Sequence, residues 1–410
     1  MSDMKYGLIG GRLGHSFSKV IHEKIGGYDY ELKEISAENL DSFMRAKDFL
    51  GINVTIPYKE AVIPYLDYVD SAAEKIGAVN IVINREGKLY GYNTDFSGMK
   101  LMIEKNGFGF RDAKILILGS GGTAKTSAAV AEALGAKEIV IVSRSGEVNY
   151  ENVASLHSDA DFIINTTPCG MYPENDTYAL DPADFPNLKG IVDAVYNPLK
   201  TALVQKGEEK GVKGVTGLYM LVAQAVCASE LFKGEGLDTE KTADKIYADI
   251  LREKRNIVLV GMPGSGKSTV GKKLAGILDR DFADTDDMIT RKYGVISDIF
   301  AGKGEAYFRD RETEQVKEIS KKNGLVIATG GGAILRKENV DALRQNGVIF
   351  FLDRPLEDIV PTSDRPLSSD AEALKKRYNE RYELYIKASD FHIKADGDIA
   401  DTVGKIKRCL

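Results

Sequence analysis

The sequence predicts an α/β protein built on parallel sheets, because one strand–turn–helix grammar starts three times. KYGLIG at 5–10 is a short apolar strand ending in glycine, and helix and strand patterns alternate from there. KILILGSGGTAKTSAAVAEALG at 114–135 is a strand, a Gly-rich turn and an Ala-rich helix, and RNIVLVGMPGSGKSTVGKKLAGIL at 255–278 repeats that order. A strand running straight into a glycine turn and a helix opens a βαβ unit, so each restart marks where a parallel sheet begins.

The length agrees with several such units. At ~150 residues per domain, 410 residues correspond to about 2.7 domains. Apolar residues are 43% and charged residues 28%, the mix of an ordinary globular chain, which excludes disorder and fibrous repeats. No apolar stretch reaches the ~18–20 residues of a membrane span. The opening MSDMKYGLIGGR has no signal-peptide apolar core, so a cytoplasmic chain with no membrane partner is expected. Cys169, Cys227, Cys409 and the four histidines (15, 22, 157, 392) are scattered without CxxC or HxxxH spacing, against a zinc site or a disulfide framework.

The net charge of -6 argues against nucleic-acid binding, but it is uneven. Residues 1–254 hold 28 basic and 36 acidic side chains; residues 255–410 hold 27 and 25. The boundary between these parts falls within 233–254, where KGEGLD reads as a loop and TEKTADKIYADILREK as a helix. Its apolar residues Ala243, Ile246, Tyr247, Ile250 and Leu251 recur at helical spacing, so it is expected to pack rather than to hang as a tether.

In the second restart, Gly119, Gly121 and Ala124 satisfy G-x-G-x-x-[G/A] between the strand Ile115–Leu118 and a helix. Glycine lets backbone approach a pyrophosphate, and the helix start offers unpaired N–H groups, so Gly119, Gly121, Gly122, Thr123 and Ala124 are candidate dinucleotide contacts of a Rossmann domain. The next strand, Glu138–Val142, ends in Ser143, Arg144 and Ser145. A cation at that place suits a 2′-phosphate, so NADP(H) is the expected cofactor.

Around that unit, GGRLGHSFSKVIH (10–22), GINVTIPYK (51–59), GAVNIV (77–82), GYNTD (91–95), NTTPCGM (165–171), DAVYNP (193–198) and GLYMLVAQA (217–225) occur in the order of the shikimate dehydrogenase family, which residues 4–250 resemble. A polyhydroxylated cyclohexene carboxylate calls for short hydroxyl and amide side chains, and a carbonyl receiving hydride calls for a proton donor. The resemblance implies that Ser16, Ser18 and Tyr196 hold the substrate carboxylate, that Thr55, Asn80 and Gln224 line the ring hydroxyls, and that Lys59 and Asp95 form the catalytic pair. It also implies that Thr166 and Met220, with Asn165, Thr167 and Met171, border the nicotinamide. Tyr219 departs from the family, where a smaller residue is common, and is expected to alter the nicotinamide pocket.

In the third restart, Gly261 to Ser268 satisfies GxxxxGK[ST] between the strand Ile257–Val260 and an amphipathic helix. Gly264, Ser265, Gly266, Lys267, Ser268 and Thr269 are the expected cradle for the phosphates of ATP, with Ser268 as a Mg2+ ligand.

FADTDDMI (282–289), GEAYFRDRE (304–312), ATGGGA (328–333), RPL (365–367) and RYELY (381–385) follow, and residues 255–395 resemble the shikimate kinase family. The resemblance implies that Asp284 holds Mg2+, that Asp286 binds the ring hydroxyls and polarises the attacking oxygen, and that Arg309 and Arg381 clamp the carboxylate. It further implies that Gly330, Gly331 and Gly332 let backbone reach the substrate and that Arg365 is a lid cation. Pro361 stands near the place of a first lid arginine, from which weaker nucleotide affinity is expected.

The reading is therefore a substrate-binding α/β domain (1–100 with 217–250), an NADP-binding Rossmann domain (101–216) and a P-loop kinase domain with a parallel sheet (255–410). The implied reactions are NADPH-dependent reduction of 3-dehydroshikimate to shikimate and ATP-dependent phosphorylation of shikimate at its 3-hydroxyl. Three alternatives remain open at this level: an NAD-linked oxidoreductase of broader range that also takes quinate, a kinase for another small acceptor, and a non-enzymatic sensor of such ligands. Oligomeric state is not encoded in these patterns.

Overall fold

The computed structural model describes residues 5–14, 17–359 and 371–410. Ser16, Pro361 and Arg365 lie outside the described residues. The chain divides into two compact units, Met1–Asn197 with Thr201–Asp249, and Pro198–Lys200 with Ile250–Leu410. No described helix is long and apolar enough to cross a membrane.

The first unit opens with β1 (Tyr6–Gly10), α1 (Ser18–Ile25), β2 (Glu31–Glu34), α2 (Leu40–Ala46), β3 (Gly51–Val54), β4 (Tyr68–Val69), α3 (Ser71–Ile76), β5 (Ile81–Arg85), β6 (Lys88–Tyr92) and α4 (Thr94–Lys105). The strands form a sheet in the order β2-β1-β3-β5-β6-β4. It is mixed: β1 pairs in parallel with β2 and β3, whereas β3–β5 and β5–β6 are antiparallel. Period-2 alternation buries both faces. Ile9, Ile52, Val54 and Val82 face one core, and Leu8, Ile81 and Ile83 face another together with Ala228 and Phe232.

The chain continues through β7 (Lys114–Leu118), α5 (Gly122–Ala133), β8 (Glu138–Val142), α6 (Val153–His157), β9 (Phe162–Asn165), β10 (Gly190–Asp193), α7 (Ala202–Glu209) and β11 (Lys213–Thr216). These strands make a second sheet, β11-β10-β9-β7-β8, parallel throughout. Ile115, Leu116, Ile117 and Leu118 of β7 are all fully buried, as expected of a parallel strand covered on both faces. Then α8 (Leu218–Lys233) returns to pack on α1 and α4 of the first sheet, and α9 (Thr239–Lys254) follows. The α8 segment is apolar nearly all round and buries accordingly, Val222, Ala223, Ala225 and Val226 being fully enclosed. In α9, Ala243, Ile246 and Ile250 are buried, so the packed helix expected there is present.

The second unit consists of β12 (Asn256–Val260), α10 (Lys267–Leu278), β13 (Phe282–Asp284), α11 (Thr285–Tyr293), α12 (Ile296–Ser320), β14 (Val326–Ala328), α13 (Lys337–Asn346), β15 (Gly347–Asp353), α14 (Ala371–Ala388), β16 (Phe391–Lys394) and α15 (Ile399–Lys407). Its sheet, β13-β14-β12-β15-β16, is parallel throughout. Ile257, Leu259, Val348, Phe350 and Leu352 face Val270 and Leu274 of α10, whereas Val258, Val260, Ile349 and Phe351 face the side covered by α12, α13 and α14. Gly304, with φ of 81°, interrupts α12 and begins a new helical stretch at Glu305.

Candidate active sites

In the first sheet, three chain segments meet at one end of the central strands. Lys59 lies just past the end of β3, Asn80 leads into β5, and Asp95 occupies the first turn of α4. Asn93 caps that helix by accepting the Phe96 N–H at 3.2 Å and donates to the Ala78 carbonyl at 2.8 Å, which pins the helix start. Lys59 Nζ is 2.5 Å from Asp95 Oδ2, and both side chains are largely enclosed. A lysine and a carboxylate so close, at a helix start that favours negative charge, form an ion pair whose proton can be handed to a neighbouring oxygen.

Amide and hydroxyl groups converge behind the pair. Asn80 Oδ1 accepts the Thr94 N–H at 2.7 Å, and its Nδ2 donates to Thr94 Oγ1 at 3.1 Å. Gln224 Oε1 sits 3.4 Å from both Thr94 Oγ1 and Asn53 Nδ2, and Tyr30 donates to Asn53 Oδ1 at 2.8 Å. Gln224 reaches this place because α4 and α8 touch: a Cβ on Gly98 would stand 2.6 Å from the Met220 carbonyl and 3.0 Å from Gln224 Cβ. Of this set, Asn80 and Gln224 were expected from sequence, whereas Asn53 and Thr94 were not singled out; Thr55, also expected, is half-buried just past β3, its Cγ2 2.6 Å from where a Cβ on Gly10 would stand. Asn53 and Thr94 stand within quoted motifs, GINVTIPYK and GYNTD, but only the structure shows that they are buried.

Ser18 is buried at the start of α1, and Tyr196 is half-buried with its ring 5.4 Å from Phe17. Nearby, His22 is fully buried, stacked 3.9 Å from Tyr30, and burial pulls its imidazole down to about 3.

The glycine turn after β7 approaches the Lys59–Asp95 pair. Gly119 takes φ of 110°, and a Cβ there would meet Thr166 Oγ1 at 2.7 Å, so only glycine fits. Thr166 donates to the Leu118 carbonyl at 2.6 Å. A Cβ placed on Gly122 would stand 3.9 Å from Lys59 Cδ, which sets the start of α5 beside the Lys59–Asp95 pair. Gly121 caps α5, Thr123 lies in its first turn and Ala124 is buried against the sheet. The turn therefore fits a dinucleotide phosphate by its close backbone and open helix start. Beyond β8, Ser143 is half-buried, and Arg144 and Ser145 are exposed.

The loop after β9 is held from below. Asn165 Oδ1 accepts from Thr167 N and Oγ1 at 3.1 and 2.7 Å, while its Nδ2 donates to Asp193 Oδ1 at 2.9 Å. Burial pushes the Asp193 carboxyl up to about 6, opposed by donors from Thr201, Val195 and Asn165. Met171 is exposed and Met220 buried. Tyr219, expected to alter the nicotinamide pocket, donates its hydroxyl to Asp244 of α9 at 2.9 Å, and Lys105 Nζ lies 5.4 Å from its ring centroid.

In the second unit the phosphate loop joins β12 to α10. Gly261, Gly264 and Gly266 take positive φ of 152°, 83° and 89°, turning backbone N–H groups into a concave nest. Lys267 is buried and donates to the carbonyls of Gly261 and Met262, both at 2.9 Å. Ser265 Oγ is buried with no hydrogen-bond partner among the described residues. Ser268 donates to Asp284 Oδ2 at 2.6 Å, and Thr269 follows in the first turn of α10. Ser268 and Asp284 form an oxygen pair that suits Mg2+, which takes few protein ligands and keeps waters and substrate oxygens; no cluster of three His, Cys, Asp or Glu capable of holding a metal occurs among the described residues.

Asp284 also caps α11, accepting the Asp286 N–H at 3.0 Å, so the metal candidate and the acceptor-binding candidate are locked together. Opposite, a Cβ on Gly330 would meet Asp286 Oδ1 at 2.5 Å and Glu312 Oε1 at 2.8 Å, and one on Gly332 would run into the Arg309 guanidinium. Arg309 is paired with Glu312 at 2.7 Å and with Glu305 at 3.0 Å. Arg381 and Tyr385 both donate to the Gly331 carbonyl, at 3.2 and 2.5 Å. Asp286, Arg309, the 330–332 turn and Arg381 are thus brought together.

Glu312 and Arg377 were not foreseen. Glu312 is fully buried, three residues after Arg309, and burial raises its carboxyl above the usual range against the pull of Arg309. Burial, and then repulsion from Arg381 one turn on, lower the Arg377 guanidinium against the pull of Glu305 and Glu380.

Two family models match the chain: the shikimate dehydrogenase substrate binding domain over residues 8–82, and shikimate kinase over residues 263–410. A shikimate dehydrogenase (NADP(+)) of Clostridium perfringens is 37% identical over 265 residues, covering 60% of this chain and 97% of that protein. A crystal structure of a chorismate mutase/shikimate 5-dehydrogenase fusion protein from Clostridium acetobutylicum superposes with a TM-score of 0.56 at 36% identity, covering 61% of this chain and 97% of that one. The shikimate 5-dehydrogenase of Thermus thermophilus in complex with NADP(H) and shikimate gives a TM-score of 0.52 at 28% identity, covering 59% and 99%.

Proposed function

The chain belongs to the shikimate dehydrogenase family and carries a shikimate kinase domain behind that part, and from this premise we propose that it is a bifunctional enzyme of the shikimate pathway. Its first unit reduces 3-dehydroshikimate to shikimate with NADPH, and its second phosphorylates shikimate with ATP and Mg2+. The observation that carries the reading is the Lys59–Asp95 pair, 2.5 Å apart beside the start of α5, in the same chain as a phosphate loop whose Ser268 is bonded to Asp284.

When bound, the nicotinamide supplies the hydride in the first unit, and ATP with Mg2+ supplies the phosphoryl group in the second. In the first unit, Lys59 gives a proton to the carbonyl oxygen as it becomes an alkoxide, and Asp95 orients the ammonium while accepting a substrate hydroxyl. Asn80, Thr55 and Gln224 hold the ring hydroxyls, and Ser16, Ser18 and Tyr196 hold the carboxylate. Asn165, held by Asp193, fixes Thr167, while Thr166 is held by the Leu118 carbonyl at the end of β7.

In the second unit, Asp286 binds the acceptor hydroxyls and takes the proton from the attacking one. Arg309 and Arg381 pair with the carboxylate bidentately or singly, which their fork geometry permits. Lys267 and the loop N–H groups neutralise phosphate oxygens, Ser268 and Asp284 hold Mg2+, and Arg365 adds a lid charge. The domains run from 1–100 with 217–250, through 101–216, to 255–410. Arg144 favours NADP over NAD. The test is incubation of the purified protein with shikimate and NADP+, and separately with shikimate and ATP. Formation of 3-dehydroshikimate in one and shikimate 3-phosphate in the other is expected; absence of both from folded protein overturns the reading.

A further inference from the structure

We infer that Arg354 is a further nucleotide-binding residue of the kinase unit, reaching the phosphates from the rigid end of β15. Along β15, Val348, Phe350 and Leu352 point to the face covered by α10, while Ile349 and Phe351 point to the opposite face. Continuing that alternation past Asp353 puts Arg354 on the face of α10, the helix whose start is the phosphate loop. The geometry agrees: a Cβ on Gly266, in the middle of the nest, would stand 3.8 Å from Arg354 Nη1.

The guanidinium is kept available. Its Nε is buried without a hydrogen-bond partner. The carboxylate next to it, Asp353, is occupied elsewhere, accepting from Tyr378 at 3.1 Å, Tyr382 at 3.2 Å and His392 at 2.7 Å. Glu357 and Asp358, close by in sequence, are exposed, and Arg354 has no ion pair among the described residues. An arginine whose Nε is shielded from water, set over a phosphate loop and without a counter-ion among the described residues, suits an anion, and the anion that this loop is shaped to take is a nucleotide phosphate. Mounted on a strand end, this cation needs no loop closure to be in position.

The inference rests on the kinase reading above. Calorimetric titration of the full-length protein with ATP, without shikimate, compares wild type with Arg354→Ala and Arg354→Lys. A roughly tenfold weaker ATP affinity is expected for the alanine variant, the loss of one charge-assisted contact, with the lysine variant intermediate. Adenosine, which lacks phosphates, should bind both equally, and NADP+-dependent shikimate oxidation should be unchanged. Unaltered ATP affinity in Arg354→Ala overturns the inference alone. Parallel losses for ATP, adenosine and shikimate mean a structural role and overturn it too, whereas no ATP binding by wild type overturns the kinase reading with it.

Discussion

Lys59 and Asp95 are separated by 36 positions in the chain and by 2.5 Å in space. The strand β3 delivers one and the capped start of α4 the other, so the pair exists only when the first sheet is assembled. If Lys59 is the proton donor, Lys59→Ala lowers NADP+-dependent shikimate oxidation by about 10²–10⁴-fold, the usual worth of general acid catalysis. Phosphorylation of shikimate by ATP in the same preparation stays at the wild-type rate; a parallel fall in both would contradict separate sites.

Lys267→Ala has the converse effect. Removing the ammonium buried in the phosphate loop is expected to lower phosphorylation by roughly 10²–10³-fold, comparable to deleting one electrostatic contact of a transition state. Shikimate oxidation, followed as the formation of NADPH, remains as the internal control.

Gly98→Ala tests how α8 is brought to the site. The added methyl meets the Met220 carbonyl at 2.6 Å, and both are helix backbone or its immediate neighbour, so the helices must separate. Overpacking of this kind costs about 1–3 kcal/mol. The expected outcome is a lower thermal midpoint for the first unit and a raised KM for shikimate in the oxidation assay, because Gln224 moves with α8, while the KM for shikimate in the kinase assay is unaltered.

Glu312→Gln probes the buried ion pair of the kinase site. Its carboxylate holds Arg309 at 2.7 Å and faces Gly330 beside Asp286. Without it, Arg309 loses its buried partner, a change that costs about 3–5 kcal/mol when a pair is broken in a protein interior. The KM for shikimate in phosphorylation should rise at least tenfold with the oxidation KM unchanged; equal KM values would remove Glu312 from the site.

His22 makes the first unit acid-sensitive. Its imidazole is neutral when folded, with a value near 3, but takes a proton below 6.5 when unfolded. The unfolded chain therefore binds more protons between these values, and stability falls as pH drops from 6.5 towards 3. Replacing it with phenylalanine should reduce the slope of opening free energy with pH by up to ~1.4 kcal/mol per unit, read from amide exchange of β1 and β3. An unchanged slope would show that His22 does not titrate on opening.

The motifs whose chemistry is local are legible in the sequence alone. The loop at 261–268 and the turn at 119–124 are short backbone devices: glycine at fixed spacing between a strand and a helix suffices to describe them. The strands Ile115–Leu118, Glu138–Val142 and Ile257–Val260 were visible because parallel strands read as unbroken apolar runs, and each lies in the corresponding sheet. Asn53, Thr94, Glu312 and Arg377 were overlooked although they stand inside or beside quoted motifs, because a polar residue in a sequence does not disclose whether it will be buried.

The sequence by itself determined the sheet starts, the phosphate-binding loops and the two families, since all of these reside in contiguous runs of residue types. Tertiary structure alone decided which side chains meet: Lys59 with Asp95, Gln224 with Thr94 across the Gly98 contact, Glu312 with Arg309 and Gly330, and Arg354 with Gly266. The physical reason is that these encounters depend on helix approach distances and on which strand lies beside which. Packing of the whole core sets both, and no local spacing carries that information.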